Sequence, residues 1–395
     1  MFDLLYNGLM PFIRTLLLTI IFVFGSSLAN AEGNAAAFDT LARNAILIDA
    51  KYGFVFFEKD ADTAVPPASM SKLMTQAIVF EMLKRGDLKL DQEVLVSADA
   101  VKRGGADGGS STMFALPNSK VSVDNLLHGA IIQSANDACI ALAESIAGTE
   151  PAFAQRMMSK AQELGLKNSN FANATGLPDP GQRMSVRDLS VLARYIIQTY
   201  PENYKIYSES QFTWSKITQQ NRNPLLKDYP GADGMKTGYT KEAGYGLVGS
   251  ATRGGRRLIM VVAGLDSVDK RKAEAQKLLD YGFSQFRSIN VYDAGDVVSK
   301  VRVWGGDERW VNLVVPDVFR VSLAPFEQAK AELRLSYKGP LMAPVKAGEN
   351  VATLKVYVDG KPVAETPLQT ASDVMATPSM WKKAADSTLI MLFGG

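Results

Sequence analysis

Ser69 and Lys72 stand three residues apart in Pro67-Ala68-Ser69-Met70-Ser71-Lys72-Leu73-Met74-Thr75. On a helix that spacing puts both side chains on one face. A serine hydroxyl becomes a useful nucleophile only when a base removes its proton. A lysine can be that base only if burial or neighbouring positive charge lowers its pKa. A helix N-terminus nearby would add a partial positive field that also favours an anionic acyl-transfer intermediate. Taken alone, Ser-x-x-Lys arises by chance and most often lies on a solvated helix face. The scarcity of two other residue types narrows the choice. The 395 residues include one histidine, His128, and one cysteine, Cys139. A Ser-His-Asp triad would have to use His128, and neither an intrachain disulfide nor a cysteine-rich or histidine-rich metal site can form. A lysine base is the economical option, and no metal or cofactor is implied. His128 reads as a satisfied helix-end histidine and Cys139 as a small buried hydrophobe.

Two further clusters follow. Ser134-Ala135-Asn136 lies between two apolar helical stretches, a junction that can aim short polar side chains into a cleft; its plainer meaning is a helix cap. Lys236-Thr237-Gly238 comes just before an expected strand, where the plainer meaning is a turn. Chemically this third cluster suits a docking edge. Lysine offers charge to a carboxylate, threonine a hydroxyl donor, and glycine room for a ligand backbone. A peptide laid along such an edge pairs through its main chain.

The elements that must position these residues are legible in outline. Ala45–Asp49 and Phe54–Glu58 flank Ala50-Lys51-Tyr52-Gly53 as a hairpin. Ser69–Leu83 is free of glycine and proline and reads as a buried helix with Ser69 near its start. Helices are expected from Ser122, over Asp137–Ile146, over Pro151–Leu164, and from Ser185, where Ser185-x-x-Asp188 is an acidic variant of the capping box. The Gly/Pro/Asn-rich stretch Phe171–Gln182 is a loop. Strands return at Tyr245–Ala251 and Arg257–Ala263, and an amphipathic helix runs from Lys270 to Phe283. Strands first, helices between, and strands with a helix last describe an α+β domain whose sheet pairs distant parts of the chain. From Val291 onward short strands alternate with turns, including a tight Asp359-Gly360 hairpin, as in a small all-β domain.

The ends carry addresses rather than chemistry. Arg14, the apolar run Thr15–Phe24 and the small-x-small site Ala29-Asn30-Ala31 read as an export signal cleaved before Glu32; the alternative is an uncleaved anchor. After Thr377-Pro378, the residues Met380, Trp381, Ala384, Ala385, Thr388, Leu392 and either Leu389 or Met391 can share one helical face. Lys382, Lys383 and Asp386 lie away from it, the pattern of a helix resting in a membrane surface. The alternative is a helix docked on protein. The formal charge of +2 implies no basic face and no nucleic-acid partner. The expected divisions are a signal peptide over 1–31, a catalytic domain over 32–290, a β-rich domain over 291–376 and an anchoring helix over 377–395.

Ser-x-x-Lys, Ser-x-Asn and Lys-Thr-Gly in this order form the set shared by penicillin-binding proteins and class A β-lactamases. Together with Ile48-Asp49-Ala50, Gln133–Cys139 and Asp233–Thr240, they make the chain resemble the low-molecular-mass D-Ala-D-Ala carboxypeptidases of the type-5 penicillin-binding group. The resemblance implies a β-lactamase/transpeptidase-like catalytic domain, an antiparallel sheet with helices, followed by the β domain and the amphipathic helix. It implies that Ser69 attacks the carbonyl between the last two D-alanines of a peptidoglycan pentapeptide stem and that Lys72 takes its proton. Ser134 and Asn136 would shuttle protons and hold the substrate amide. Lys236 and Thr237 would bind the terminal carboxylate beside Gly238, and the N–H groups of Ser69 and Tyr239 would form the oxyanion hole. β-Lactam antibiotics would acylate the same serine. An exported, periplasmic enzyme attached peripherally to the inner membrane follows from the same resemblance. Two positions depart from the group: Ala135 stands where glycine is frequent, and Tyr239 where histidine is common. A β-lactamase would need a glutamate in the loop 171–182, which contains only Asp179. A cross-link endopeptidase would generally lack the β domain, and a penicillin-binding sensor without turnover usually follows several membrane spans.

Overall fold

A computed structural model describes residues 38–393, so the expected signal segment 1–31 lies outside the described residues. Contacts divide the chain into two units that meet between Ser284 and Gln285. The first is built on a five-stranded antiparallel sheet in the order Val55–Lys59, Asn44–Asp49, Arg256–Leu265, Gly244–Arg253, Ala232–Thr240. Asn44–Asp49 pairs with Arg256–Leu265 along its full length, which closes the sheet across more than half of the chain. This is the α+β architecture expected from the order of elements.

Strand alternation assigns the two faces of the sheet. Ile46 and Ile48 point into the main core with Leu73, Met74, Phe80, Leu192 and Ile196, from the helices Lys72–Arg85 and Val186–Thr199. Leu47 points the other way, towards Gly282 of the helix Val268–Gln285, where a Cβ would come within 2.6 Å of the leucine side chain. That close approach needs glycine. The helix Lys72–Arg85 buries every residue from Lys72 to Phe80, so it is a core helix, and Gly86 at φ 79° ends it. Ser69 is not inside that helix, as the apolar run suggested. It sits on the 3-10 turn Ala68–Ser71 that leads into it. Ala68, at φ 47°, turns the chain sharply just before the serine.

Two local expectations need correction. Lys236-Thr237-Gly238 does not precede a strand; it lies within Ala232–Thr240, the outermost strand of the sheet. Ser185 does cap its helix through the Asp188 N–H at 3.1 Å, but the Asp188 carboxylate leaves the capping box and accepts from Asn168 N and Ser169 Oγ, each at 2.7 Å. A hairpin of Gln211–Trp214 and Ile217–Gln220 went unread. Its turn residues Ser215 and Lys216, at φ 51° and 66°, lack the Asn-Gly chemistry that announces such turns.

The second unit contains a two-stranded sheet of Arg287–Tyr292 and Phe319–Leu323 and a six-stranded sheet. The order in the latter is Ala331–Tyr337, Asn350–Val358, Lys361–Thr370, Trp310–Val314, Val297–Trp304, Leu341–Met342. Its first strand starts before Val291, because Arg287 already pairs with Leu323. The Asp359-Gly360 turn is present, with both residues at positive φ. The chain ends in the helix Met380–Phe393.

Asp137 fastens the helix Asn136–Ala147 to the segment before it. Its fully buried carboxylate accepts from Thr112 Oγ1 at 2.6 Å, Met113 N at 3.1 Å, Ala115 N at 3.2 Å and Ala138 N at 3.0 Å. Burial pushes its pKa up, against the pull of those hydrogen bonds. Asp137→Ala would strand several buried donors and should cost about 3 kcal/mol in urea unfolding; a loss under about 0.5 kcal/mol would contradict this account.

Candidate active site

The serine turn is wedged between two neighbours. From one side comes the edge strand: a Cβ at Gly238 would lie 2.9 Å from Pro67 O and 3.1 Å from Met70. From the other comes the loop 171–182: a Cβ at Gly176 would lie 2.0 Å from Ala68 O and 2.6 Å from Ser71 Oγ. Gly176 also has φ +79°, so any side chain there would push the serine turn aside and strain the backbone.

Within this wedge Lys72 has no exposed surface. Its Nζ donates to Ser69 Oγ at 2.9 Å and to Thr175 O at 2.5 Å. Burial lowers its pKa to about 8. No carboxylate accepts from Lys72 among the described residues. Thr175 O is held in place by its own loop. Asn173 Oδ1 accepts from Thr175 N, Thr175 Oγ1 and Gly176 N at 3.1, 2.9 and 2.7 Å. Thr75 Oγ1 donates to Ala174 O at 2.7 Å, and Glu150 Oε1 accepts from Ala174 N at 3.0 Å. The other Glu150 oxygen pairs with Arg103 at 2.6 Å, so this buried carboxylate braces the loop and is not free to act as a base.

Lys236 is almost as buried, at 2 % exposure, and makes no ion pair among the described residues. Among the described residues its Nζ finds one acceptor, Thr237 O, at 3.3 Å. Burial first, and Lys72 second, hold its pKa well below the ordinary lysine range. Lys236 therefore feels the charge of Lys72 across a common site. Both also act on Cys139, whose buried thiol is pushed up to about 11 and stays neutral. Cys139 lies one helical turn beyond Asn136, which brings the middle cluster to the same place. There Ser134 adopts φ 64°, an uncommon conformation for a residue with a side chain. Ser134 Oγ, Asn136 Oδ1 and both polar atoms of Gln133 are buried without a hydrogen-bond partner. Buried polar groups normally find partners, so a row of unpaired ones marks a place prepared for another molecule.

Of the residues singled out in the sequence, Ser69 and Lys72 are in direct contact, Lys236 and Gly238 close on them, and Ser134 and Asn136 lie alongside. Thr237 is buried at 6 % exposure. The Tyr239 side chain turns outward, 53 % exposed, and stacks on Tyr245 with centroids 4.2 Å apart. Sequence reasoning missed Thr175, Gly176, Asn173, Glu150 and Arg222. Arg222 donates to Ser111 Oγ, and Ser111 O accepts from Asn136 N at 2.7 Å, so it braces the middle cluster from outside. Turn chemistry at Asn173 and Gly176 was a usable signal for a tight loop, but not for which side chain that loop would hold.

Comparison with known proteins agrees with this geometry. Residues 30–267 match the family described as D-alanyl-D-alanine carboxypeptidase. The chain belongs to that family. Residues 286–376 match the C-terminal domain of penicillin-binding protein 5. The D-alanyl-D-alanine carboxypeptidase DacC of Escherichia coli is 41% identical over 353 residues, 88% of each chain. DacA of Haemophilus influenzae is 40% identical over 337 residues, 84% of this chain and 85% of that one. The crystal structure of penicillin binding protein 5 from Haemophilus influenzae superposes with a TM-score of 0.76 at 38% identity, covering 86% of this chain and 98% of that one. The carboxypeptidase is thus a serine-type hydrolase of the cell wall, from a family that acts on peptidoglycan peptide stems and binds β-lactams. This favours it over the sensor, β-lactamase and endopeptidase alternatives.

The close fit of Gly176 against the serine turn can be tested. Gly176→Ala should leave the carboxypeptidase folded by circular dichroism yet slow acylation of Ser69 by a fluorescent penicillin about 100-fold, as misplacement of a reacting group does. An unchanged rate would show that the loop does not position the pair.

Proposed function

We propose that Ser69, Lys72 and Ser134 carry out the hydrolysis, with Asn136, Lys236, Thr237, Gly238 and Tyr239 binding the substrate. The observation that carries this reading is the 2.9 Å hydrogen bond between Ser69 Oγ and a Lys72 amine that burial holds near pKa 8. An amine with that pKa is neutral in a useful fraction of molecules near neutral pH and can accept the serine proton.

The steps follow from the positions. A pentapeptide stem lies along the edge strand Ala232–Thr240, its terminal carboxylate at Lys236 and Thr237 and its amide at Asn136. Lys236, buried and without an acidic partner, gains the counter-charge it lacks. Ser69 Oγ attacks the penultimate D-alanine carbonyl as its proton passes to Lys72 Nζ. The oxyanion is stabilised by the N–H groups of Ser69 and Tyr239. The C–N bond then breaks, and the leaving D-alanine amine takes a proton by way of Ser134. A water molecule, deprotonated by the same lysine, attacks the ester and frees Ser69. A β-lactam enters the same path with its strained amide, and with no carboxylate accepting from Lys72 among the described residues that acyl-enzyme is slow to hydrolyse. In the chain as a whole we assign 1–31 to export into the periplasm, 32–290 to catalysis, 291–376 to the β domain and 377–395 to peripheral attachment at the inner membrane.

Ser69→Ala should abolish both D-alanine release from a pentapeptide and labelling by fluorescent penicillin; retention of either would overturn the assignment. For the pH dependence the sign is fixed by the base. Neutral Lys72 accumulates as pH rises, so kcat/KM should climb through a pKa of about 8, and it should fall again at higher pH where Lys236, whose pKa burial also lowers, loses the charge that holds the substrate carboxylate. A profile that is flat between pH 6 and pH 9, roughly one unit or more either side, would contradict a lysine base.

A further inference from the structure

The C-terminal helix Met380–Phe393 is seated on the all-β unit by the wrong face for simple packing. Side chains Leu389 to Phe393 lie outside the described residues, but the preceding turns are clear. Asp386 is 1 % exposed; its Oδ2 accepts from Gly305 N at 3.3 Å, and its Oδ1 faces Arg309 Nε at 3.6 Å. Trp304 Nε1 donates to Ser387 Oγ at 3.1 Å, and Lys382 Nζ donates to Asp307 O. The segment leading into the helix is stitched to the same loop. Thr377 N donates to Gly305 O at 2.8 Å, Asp307 N to Met375 O at 2.7 Å, and Met375 N to Asp307 Oδ1 at 2.8 Å. Meanwhile Met380 and Trp381 are 76 % and 88 % exposed. A helix that docks on its own protein for stability buries its apolar face and exposes its charges. Here Asp386 is turned inward and Met380 and Trp381 outward.

We infer that residues 304–309 form a clamp, with Asp386 as its positioning residue, that fixes the roll of the helix so that a lipid surface meets helix and all-β unit as one body. The inference rests on the membrane reading of the tail given above. Lipid is the occupant that fits, because the neighbouring Met380 and Trp381 expose apolar surface while Lys382, Asp386 and Ser387 of the same helix are engaged by the 304–309 segment. The helix is also too short to span a bilayer: no described helix is long and apolar enough to cross one. A floating tether would need none of the 304–309 contacts, and its roll would be set by the bilayer alone. With the clamp, the roll exists before any lipid is met, and the ordering of the helix is completed in advance of binding.

The test uses the full mature chain with a nitroxide at Ala385→Cys, an exposed position, while the buried Cys139 stays unlabelled. Binding is read by sedimentation with phosphatidylethanolamine–phosphatidylglycerol vesicles. In solution the nitroxide should tumble with the protein, and adding Asp386→Ala should free it while the chain still sediments. Trp381→Ala should lower vesicle affinity about tenfold with the nitroxide unchanged in solution. If the nitroxide is equally mobile with and without Asp386, the clamp is wrong even though the chain binds. If the label is held but the chain does not sediment, the membrane reading falls and the inference with it.

Discussion

An ammonium group inside a protein is costly, and Lys72 is placed where that cost becomes chemistry. Water is excluded from it, Ser69 Oγ lies on one side and Thr175 O on the other, and among the described residues no carboxylate accepts a hydrogen bond from it. The desolvation that lowers its pKa is the same condition that lets it take a proton from serine. Much of the catalytic unit maintains this environment. The helix Lys72–Arg85 is buried on all sides at its start, the loop 171–182 supplies a carbonyl instead of an acid, and Glu150 spends one oxygen on the loop and the other on Arg103.

A second buried lysine turns the environment into a binding site. Burial, and after it the charge of Lys72, lowers the pKa of Lys236, and among the described residues neither lysine forms an ion pair. A substrate that ends in a carboxylate relieves this. The strand that carries Lys236 lies at the sheet edge, so the backbone that would pair with a peptide is open on that side. The orphaned polar atoms of Gln133, Ser134 and Asn136 point to the same conclusion: the site is preorganised for a partner and is under-satisfied without one.

How much of this could be read from the sequence depended on what kind of contact fixed each feature. The reacting pair, the middle cluster and the docking triplet were legible because their chemistry resides in residue type and short spacing. The hairpin at Asp359-Gly360 was legible because backbone rules demand those residues. The strand containing Lys236 was misplaced because its register comes from pairing with Gly244–Arg253, a partner beyond the motif itself. Thr175 escaped notice because it acts through a backbone carbonyl, which no residue type announces. The tail was read as having an apolar face and a polar one, and both exist; that the polar face would be the one docked on protein depends on Trp304, Gly305 and Arg309, far away in sequence.

The account stands or falls on the protonation state of Lys72. Selective isotope labelling of the lysine side chains, with Lys72→Arg to assign the resonance, would allow its titration to be followed by NMR in the free enzyme. The account predicts a midpoint near 8, carried by burial. A midpoint at the ordinary lysine value of 10.5 would mean that Lys72 is a fixed cation and that some other group activates Ser69.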